Sequence, residues 1–142
     1  MNLSAKTRYA LLALSEFQDR EEWLSLKEIS QRQKLPLKYL ERIFKTLDDH
    51  GLVEGKRGPN GGYRLTRDPS RISLKEVILS LEEEIRLFRC LKKPRSDDPD
   101  WGGCFSPIWD NLNGMILDYL DSLTLKDLST KEDKRERESE VG

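Results

Sequence analysis

The stretch of residues 35–65 constrains the fold of this chain most, because it joins one predicted helix directly to a predicted hairpin. Pro36 suits the first turn of a helix, where its missing N–H is not needed, and Gly51 can take the left-handed conformation that ends one. Between them, apolar residues recur at steps of three and four. These positions are Leu37, Leu40, Ile43, Phe44 and Leu47. The sequence therefore predicts a helix from Pro36 to His50 with one buried face.

The residues after Gly51 predict a hairpin with a basic, glycine-rich turn. Leu52 and Val53 open the first strand, and the dipeptide Asn60–Gly61 is a strong signal for a chain reversal. A helix with a polar and basic outer face fits the major groove of DNA, and a basic hairpin can lie on the neighbouring backbone or in the minor groove. The residues alone leave open an ordinary α+β domain whose helix face is solvated.

Two further helices are predicted ahead of this stretch. Ser4 can cap a helix that runs to about Asp19. Its buried side is expected to hold Tyr9, Leu12, Ala13 and Phe17. Ser25 and Glu28 form a capping-box pattern before a short helix over residues 26–33. The short connection to the next helix has helix-turn-helix length, and three helices followed by a hairpin is the winged-helix order.

The C-terminal half starts with another capping-box pattern, Ser73 and Glu76, which begins a helix that ends near residues 82–84. Residues 89–103 show no periodicity and predict a loop that is long for a compact domain. Ser106 then begins a long helix with an apolar stripe. The stripe consists of Ile108, Leu112, Met115, Ile116, Tyr119, Leu120 and Leu123. Such a helix needs a partner, either its own N-terminal domain or the same helix of a second chain.

These patterns predict a mostly α-helical fold with a small β-hairpin, namely a winged helix-turn-helix domain plus a long C-terminal helix. We assign residues 1–84 to the winged-helix domain and residues 85–104 to the long loop that follows it. Residues 105–128 are assigned to the long helix and a terminal turn. Residues 129–142 have one apolar residue and are expected to be a disordered charged tail.

Composition and the distribution of charge narrow the class of protein. Of the 142 residues, 36% are hydrophobic and 36% are charged, so the core is modest and dimerisation would help to complete it. Residues 1–67 carry 13 lysines and arginines against 9 acids, whereas residues 68–142 carry 12 against 17. The basic half holds the helix and the hairpin, as expected for a DNA-reading part. We find no secretory signal and no membrane-spanning run, and expect a cytoplasmic protein.

Two other classes of function are open to a chain of this size. An enzyme is disfavoured, because the sequence has one histidine, no nucleophile motif and no phosphate-binding glycine loop ahead of a helix. The other class is a winged helix that docks on a protein partner without DNA. Salt separates the two binding modes, since contacts to several phosphates weaken steeply as salt is added.

Four segments of the chain together resemble the Rrf2 family of bacterial transcription regulators. They are LSAKTRYALLAL, LKEISQRQKLPLKYLERIFKTLDDHGLVEGKRGPNGGYRL, RISLKEVILSLE and a C-terminal pattern of tryptophan and leucine that ends in TLKDL. The specific part is the helix with YLE followed by RGxxGGY, and the resemblance covers residues 1–128. It implies a winged-helix homodimer with crossing C-terminal helices that binds palindromic operator DNA. On this basis residues 1–84 would be the DNA-binding domain, residues 85–104 a sensor loop, and residues 105–128 the dimerisation helix with its terminal turn.

The resemblance also implies which residues contact DNA. The helix that holds Tyr39 and Glu41 is similar to the family's recognition helix, and Arg57 is similar to the wing arginine that enters the minor groove. Glu41 can accept a hydrogen bond from cytosine N4, and Arg42 can bind guanine or a phosphate. Lysines on this surface would contact phosphates, which position the protein without specifying sequence. The full predicted set is Lys38, Tyr39, Glu41, Arg42, Lys45, Lys56, Arg57 and Asn60.

The two cysteines, Cys90 and Cys104, border the long loop. Cluster-binding members of the family carry three cysteines here, and Asp98 stands where the middle one is expected. Two thiolates are fewer than the four protein ligands of a 2Fe–2S cluster, so a loop carboxylate and the second subunit would have to complete the set. The pair therefore has three interpretations: cluster ligands, a thiol redox switch, or inert residues in a repressor controlled by a partner protein or a small molecule.

Overall fold

Three helices, a two-stranded hairpin and two more helices follow one another in the computed structural model, which describes residues 3–19, 21–82 and 106–128. The elements are α1 (Ala5–Leu14), α2 (Leu26–Gln33), α3 (Leu37–Asp49), β1 (Val53–Lys56), β2 (Gly62–Leu65), α4 (Leu74–Leu81) and α5 (Ser106–Ser122). A short 3₁₀ turn, Pro69–Arg71, links the hairpin to α4. The mostly α-helical fold with a small hairpin is confirmed. The predicted sensor loop, residues 85–104, and the predicted charged tail, residues 129–142, lie outside the described residues.

The core lies where α3 meets α1, α4 and the first strand of the hairpin. Its largest fully buried side chains are Phe17, Phe44, Leu14, Ile29, Leu40, Ile43, Leu47, Leu65, Ile72, Ile78, Leu125 and Val53. Burying one such side chain contributes about 1.5–3 kcal/mol. Because α3 lies at the centre of this cluster, its apolar face determines where the other elements pack.

Helix α1 begins as predicted but ends early. The Ser4 hydroxyl accepts a hydrogen bond from the Thr7 amide at 3.2 Å, as an N-cap does. The helix stops at Leu14 and does not reach Asp19, and Ser15 is its C-cap, with its hydroxyl donating to the Leu12 carbonyl at 2.6 Å. The following amides then bond three residues back, which is the tighter pattern of a helix end.

The predicted buried side of α1 is wrong at Leu12 and correct at two other positions. Leu12 is exposed, whereas Ala13 and Phe17 are buried. Tyr9 is half-buried and packs against the core cluster. The buried residues of the helix itself are Thr7, Ala10, Ala13 and Leu14. These steps of three and four turn Leu12 toward solvent.

Helices α2 and α3 form the predicted helix-turn-helix. Helix α2 has the predicted bounds, and the Ser25 hydroxyl accepts from the Glu28 amide at 3.2 Å. The turn reverses at Lys34, whose φ of 55° is left-handed. The Leu35 amide donates to the Ser30 carbonyl, and the Ser30 hydroxyl returns a hydrogen bond to the Leu35 carbonyl. These two hydrogen bonds between Ser30 and Leu35 fix the conformation of the turn, and with it the orientation of α3 relative to α2.

Helix α3 matches the prediction within one residue at each end. Pro36 is its N-cap and His50 its C-cap, and Gly51 follows with a φ of +73°. The face of Leu40, Ile43, Phe44 and Leu47 is fully buried. Leu37, which was expected on that face, is exposed. It lies in the first turn, before the helix has reached the core.

The hairpin is confirmed, but its turn is not centred on Asn60–Gly61. The strands pair antiparallel from Val53↔Leu65 to Lys56↔Gly62. The Gly61 amide donates to the Gly58 carbonyl at 2.9 Å, so Pro59 and Asn60 are the central residues. Proline fixes φ near the value that the first central position of a type I turn needs. The φ of Asn60 is not positive, which excludes the turn type that the Asn–Gly signal favours.

A third chain segment pairs with the hairpin. The Leu24 amide donates to the Tyr63 carbonyl at 2.9 Å, and the Tyr63 amide donates back to the Leu24 carbonyl at 2.8 Å. Gly62 has a φ of +144°, and a Cβ there would lie 2.2 Å from the Leu24 carbonyl oxygen. The glycine before Tyr63 thus lets the segment ahead of α2 lie against the hairpin.

The C-terminal elements dock at the start of α4. Ser73 and Glu76 form the complete capping box that was predicted. After α5, the Leu125 amide donates to the Ile72 carbonyl at 3.1 Å, and the Leu74 amide donates to the Leu123 carbonyl at 2.9 Å. The predicted turn after α5 is present at residues 124–128, and these bonds fix the end of α5 beside α4.

No helix within the described ranges is both long enough and apolar enough to cross a lipid bilayer.

Glu82, the residue that follows α4, is bonded to the first turn of α1. Its carboxylate accepts from the Ser4 amide at 2.9 Å and from the Thr7 hydroxyl at 2.8 Å. Hydrogen bonds from Ser4, and then the one from Thr7, lower the pKa of Glu82. A negative charge is also favoured at a helix N-terminus. Glu82, the residue that precedes residues 83–105 in the sequence, is therefore held against the first turn of α1.

We expect Glu82→Gln to lower the free energy of unfolding at pH 7 by about 1 kcal/mol, because a partly exposed charge-assisted hydrogen bond is weakened. The folded-state pKa of Glu82 is depressed, so this stability is present above the unfolded pKa and is lost as pH falls through the folded pKa. The difference between variant and wild type should therefore shrink in acid. Urea unfolding at pH 7 and at a series of acidic pH values measures it.

The matched control for this experiment is Glu21→Gln, which changes an exposed carboxylate in the loop after α1. It should alter the free energy of unfolding by a few tenths of a kcal/mol at any pH. A Glu82→Gln effect that stayed the same from pH 7 into acid would contradict the assigned role of the carboxylate.

Candidate nucleic-acid interface

The outer face of α3 is polar, charged and open to solvent. Lys38, Glu41, Arg42 and Lys45 are all exposed on it. They lie opposite the fully buried face of the same helix. An α-helix of this width fits the major groove of B-form DNA, and its side chains then meet the edges of the bases. The structure thus places four of the predicted DNA contacts on one accessible surface.

The cations of this face have no carboxylate partner within the described ranges. The ion pairs among the described residues lie elsewhere: they join Arg32 to Glu16 and Glu28, Arg64 to Glu54, and Arg67 to Glu76. Even Glu41 and Lys45, which are spaced for a helical i,i+4 pair, are not within ion-pair distance. Positive charge on α3 is therefore available to an anionic ligand.

Tyr39 differs from its neighbours, because it is half-buried. Its ring meets the Tyr9 ring edge-on, with centroids 5.5 Å apart and an angle of 87° between the planes. Edge-to-face pairs of this kind contribute about 0.5–1.5 kcal/mol beyond the area that they bury. The contact ties the first turn of α3 to α1 and fixes the direction of the Tyr39 side chain.

The wing, residues 53–65, is joined to α3 through one aromatic contact. The Tyr63 ring lies 5.2 Å from the Phe44 ring, centroid to centroid, and Phe44 lies 5.7 Å from Phe17. Burial, followed by the negative charges of Asp48 and Glu41, raises the pKa of Tyr63. Asp48 and Glu41 of α3 are therefore close enough to the wing for their charges to act on Tyr63.

The predicted wing residues Lys56, Arg57 and Asn60 are all exposed. Lys56 ends β1, and Arg57 follows it in the loop. A polar cleft of about 520 Å³ separates this loop from the start of α2 and the end of α3. Its lining includes Ser25, Asp48, Lys56, Arg57 and Tyr63. The wing cations and the C-terminal end of α3 thus border a common opening.

Sequence reasoning missed two residues of this region, Trp23 and Arg64. The Arg64 guanidinium carbon lies 4.5 Å from the centroid of the Trp23 ring, and the Lys56 ammonium lies 5.6 Å from it. A lone tryptophan before a helix gives no sign that two cations of a distant hairpin will stack on it.

A second surface, on α5, is apolar and uncovered. Ile108, Met115 and Tyr119 are 59%, 68% and 62% exposed, and Leu112 is 36% exposed. Their spacing of three and four residues places them in one stripe. A shallow apolar groove continues from this stripe toward Leu3 and Ile78. Four large apolar side chains in line on a helix mark an interaction surface.

The predicted cluster ligands Cys90, Asp98 and Cys104 lie outside the described residues. Among the residues that the structure describes, no three or more histidine, cysteine or acidic side chains come together in a way that could hold a metal ion.

Residues 3–131 match the family model Rrf2, described as an iron-dependent transcriptional regulator. The HTH-type transcriptional regulator IscR of Xenorhabdus nematophila is 37% identical over 131 residues, which cover 90% of this chain and 79% of that protein. The IscR of Serratia proteamaculans is 35% identical over 136 residues, which cover 94% of this chain and 82% of that protein.

Solved structures give the same result. CymR (YrzC), the global cysteine regulator of B. subtilis, superposes with a TM-score of 0.74 at 31% identity, covering 92% of this chain and 98% of CymR. T. potens IscR superposes with a TM-score of 0.71 at 30% identity, covering 96% and 90% of the two chains. The oxidised form of Staphylococcus aureus CymR gives 0.69 at 30% identity, covering 91% and 96%.

These relatives are regulators and not enzymes, and they match nearly the whole chain. Their folds agree with the helix-turn-helix and wing described above. The chain belongs to the Rrf2 family of winged-helix, DNA-binding transcriptional regulators.

Proposed function

We propose that the chain is a dimeric, sequence-specific regulator in which α3 enters the major groove of a palindromic operator and the wing contacts the adjacent backbone and minor groove. The observation that carries this proposal is the outer face of α3. Lys38, Arg42 and Lys45 are exposed there, and within the described ranges no carboxylate pairs with them. DNA phosphates and base edges supply the acceptors that these donors lack.

Each DNA-binding residue has a separate role in the proposal. Glu41 accepts from cytosine N4, and Arg42 donates to guanine or a phosphate. Tyr39 contacts the groove with its ring held by Tyr9. Arg57 enters the minor groove, where negative potential attracts arginine. The remaining residues contact the backbone and set the position of the protein on it: Lys38, Lys45, Lys56 and Asn60.

Dimerisation is proposed to occur through the exposed stripe of α5. Covering Ile108, Met115 and Tyr119 removes large apolar side chains from water, which is favourable at about 25 cal/mol per Å². A two-fold dimer would carry two copies of α3. Its half-sites would then be about one DNA turn apart, roughly 34 Å, which explains why the operator is expected to be palindromic.

Regulation is proposed to reside in the loop of residues 85–104. This loop is reached from Glu82, which is bonded to the first turn of α1. Tyr9 of α1 in turn contacts Tyr39 of the recognition helix. A change in the loop can thus act on α3 through α1, and a coupling of about 1–3 kcal/mol is enough for regulation.

For the signal we propose that Cys90 and Cys104 hold a 2Fe–2S cluster, with Asp98 as a candidate third ligand. Support comes from the family model, which is described as iron-dependent. A bound cluster would supply reversible one-electron chemistry and a group that can be gained or lost. The alternative is a thiol redox switch, for which the solved oxidised form of S. aureus CymR is the specific support. A repressor controlled by a partner protein without a cluster is the third outcome of the test.

The remaining assignments follow from this proposal. Residues 1–84 would form the DNA-binding domain, residues 105–128 the dimerisation helix with its turn, and residues 129–142 a disordered tail. A bacterial regulator of this kind works on the chromosome, so its place is the cytoplasm.

The DNA-binding proposal is tested by selecting duplexes from a random pool with the full chain and then titrating the enriched duplex with variants. Glu41→Ala should weaken binding about tenfold and relax the preference for one base pair. Lys45→Ala and Arg57→Ala should each weaken binding and reduce the slope of log K against log salt by about 0.9, because each removes one phosphate contact or minor-groove charge.

The matched control is Arg71→Ala, which removes an exposed arginine from the turn before α4, away from α3 and the wing. Its affinity and salt slope should equal those of the wild type. If no sequence is enriched and binding by the wild type does not depend on salt, the chain is a protein-docking winged helix and the proposal fails.

The dimer proposal predicts that Met115→Glu converts the protein from a dimer to a monomer of 16.6 kDa, since it places a charge in the centre of the stripe. Light scattering during size-exclusion chromatography measures the mass. Gly114→Glu is the control, because it adds the same charge on the same helix at a position with no atom within 4 Å. Equal masses for the two variants would refute the assigned interface.

The signal is tested on protein purified without oxygen, by absorbance in the visible range together with iron and sulfide determination. We expect a coloured protein with stoichiometric iron, which Cys90→Ser and Cys104→Ser each abolish. Colourless protein that stays free of iron after reconstitution would contradict the cluster. A loss of free thiols upon oxidation would then identify the redox switch.

A further inference from the structure

The outer face of the wing carries a stack of three side chains, Trp23, Arg64 and Lys56, of which the DNA-binding proposal has used only Lys56. In the antiparallel register Glu54 faces Arg64 and Lys56 faces Gly62, so these residues share one face of the hairpin. Tyr63 projects from the opposite face, toward Phe44. Trp23 lies on the outer face, with the Arg64 and Lys56 cations over its ring at 4.5 Å and 5.6 Å.

The position of Trp23 is fixed by the main chain. Its neighbour Leu24 is bonded in both directions to Tyr63 of β2. Gly62 permits this approach, because any Cβ there would collide with the Leu24 carbonyl. The indole is therefore held against the hairpin by a β-bridge, independently of the cations that it contacts.

The two cations on the ring differ in their charge partners. Arg64 pairs with Glu54, so its charge is largely balanced within the hairpin. Lys56 has no carboxylate within ion-pair distance in the described part of the chain. It is also the residue next to Arg57, which is exposed at the tip. Contact with the indole face attracts an ammonium group without neutralising it.

We propose that Trp23 is a positioning residue for DNA binding: its indole holds the Lys56 ammonium on the outer face of the wing, where that charge meets a backbone phosphate. This inference rests on the proposed DNA-binding function. A lysine side chain carries considerable rotamer entropy, and a contact that orders it before binding lowers the entropy lost in the complex. Arg64, which pairs with Glu54, is the second cation in contact with the indole.

The test compares Trp23→Phe with Trp23→Leu in the full chain. Both variants keep an apolar side chain under the hairpin, but only phenylalanine keeps an aromatic face for the cations. The probe is the labelled duplex that the wild-type chain enriches from a random pool, titrated by fluorescence anisotropy between about 50 and 200 mM salt. Trp23→Phe should bind within about twofold of wild type, and Trp23→Leu about three- to tenfold more weakly with a smaller salt slope.

A double-mutant cycle shows whether Trp23 acts through Lys56. With Lys56→Ala already present, Trp23→Leu should weaken binding little further, whereas with Lys45→Ala present it should have its full effect. Lys45 is the matched control, since it is a lysine on α3 outside the stack. Circular dichroism and thermal unfolding confirm that the variants fold. Should Trp23→Leu not fold, the cycle of Trp23→Met with Lys56→Ala decides in its place, because methionine also lacks an aromatic face.

The outcomes separate this inference from the proposed function. Failure of the wild-type chain to bind any duplex would overturn the proposed function. Wild-type binding with equal affinities for the phenylalanine and leucine variants would overturn the role of Trp23 alone. Additive effects of Trp23→Leu and Lys56→Ala would do the same.

Discussion

The contact between Phe44 and Tyr63 is the physical constraint on which the proposed DNA-binding surface depends. Their rings lie 5.2 Å apart, and Phe44 is fully buried against Phe17 as well. Closely packed interiors do not allow such rings to slide, so α3 and the wing hold one relative position. Truncating a buried phenylalanine costs about 3–5 kcal/mol. That is a large share of the roughly 5–15 kcal/mol that keeps a domain folded. The packing of Phe44 that stabilises the fold therefore also fixes the position of the wing relative to α3.

Helix α1 connects this surface to the rest of the chain. Its Tyr9 contacts Tyr39 on α3, and its first turn receives the Glu82 carboxylate at the point where the chain leaves α4. Glu16, Glu54 and Glu76 are paired with arginines, whereas the cations of α3 have no carboxylate partner within the described ranges. The fold therefore separates the proposed DNA-binding face of α3 from the apolar stripe on α5.

Features set by neighbouring residues could be predicted from the sequence. The caps at Ser25 and Ser73 and the buried face of α3 are of this kind, because a cap or a helical period needs only residues within a few positions. The prediction that α1 reaches Asp19 was wrong, since the amides after Ser15 bond three residues back and the helix ends at Leu14. Within the predicted hairpin, Pro59 and Asn60 take the central positions of the turn. The stack on Trp23 joins segments that are distant in sequence, so no local pattern could reveal it.

The most direct test of the central claim is a structure of the full chain bound to the duplex that it selects. The account predicts α3 in the major groove, with Glu41 and Arg42 within hydrogen-bond distance of base edges and Arg57 in the adjacent minor groove. Two copies of α3 should lie about 34 Å apart, related by the two-fold axis of the operator. A complex in which α3 faces away from the DNA, or in which the duplex lies on the α5 stripe, would contradict it.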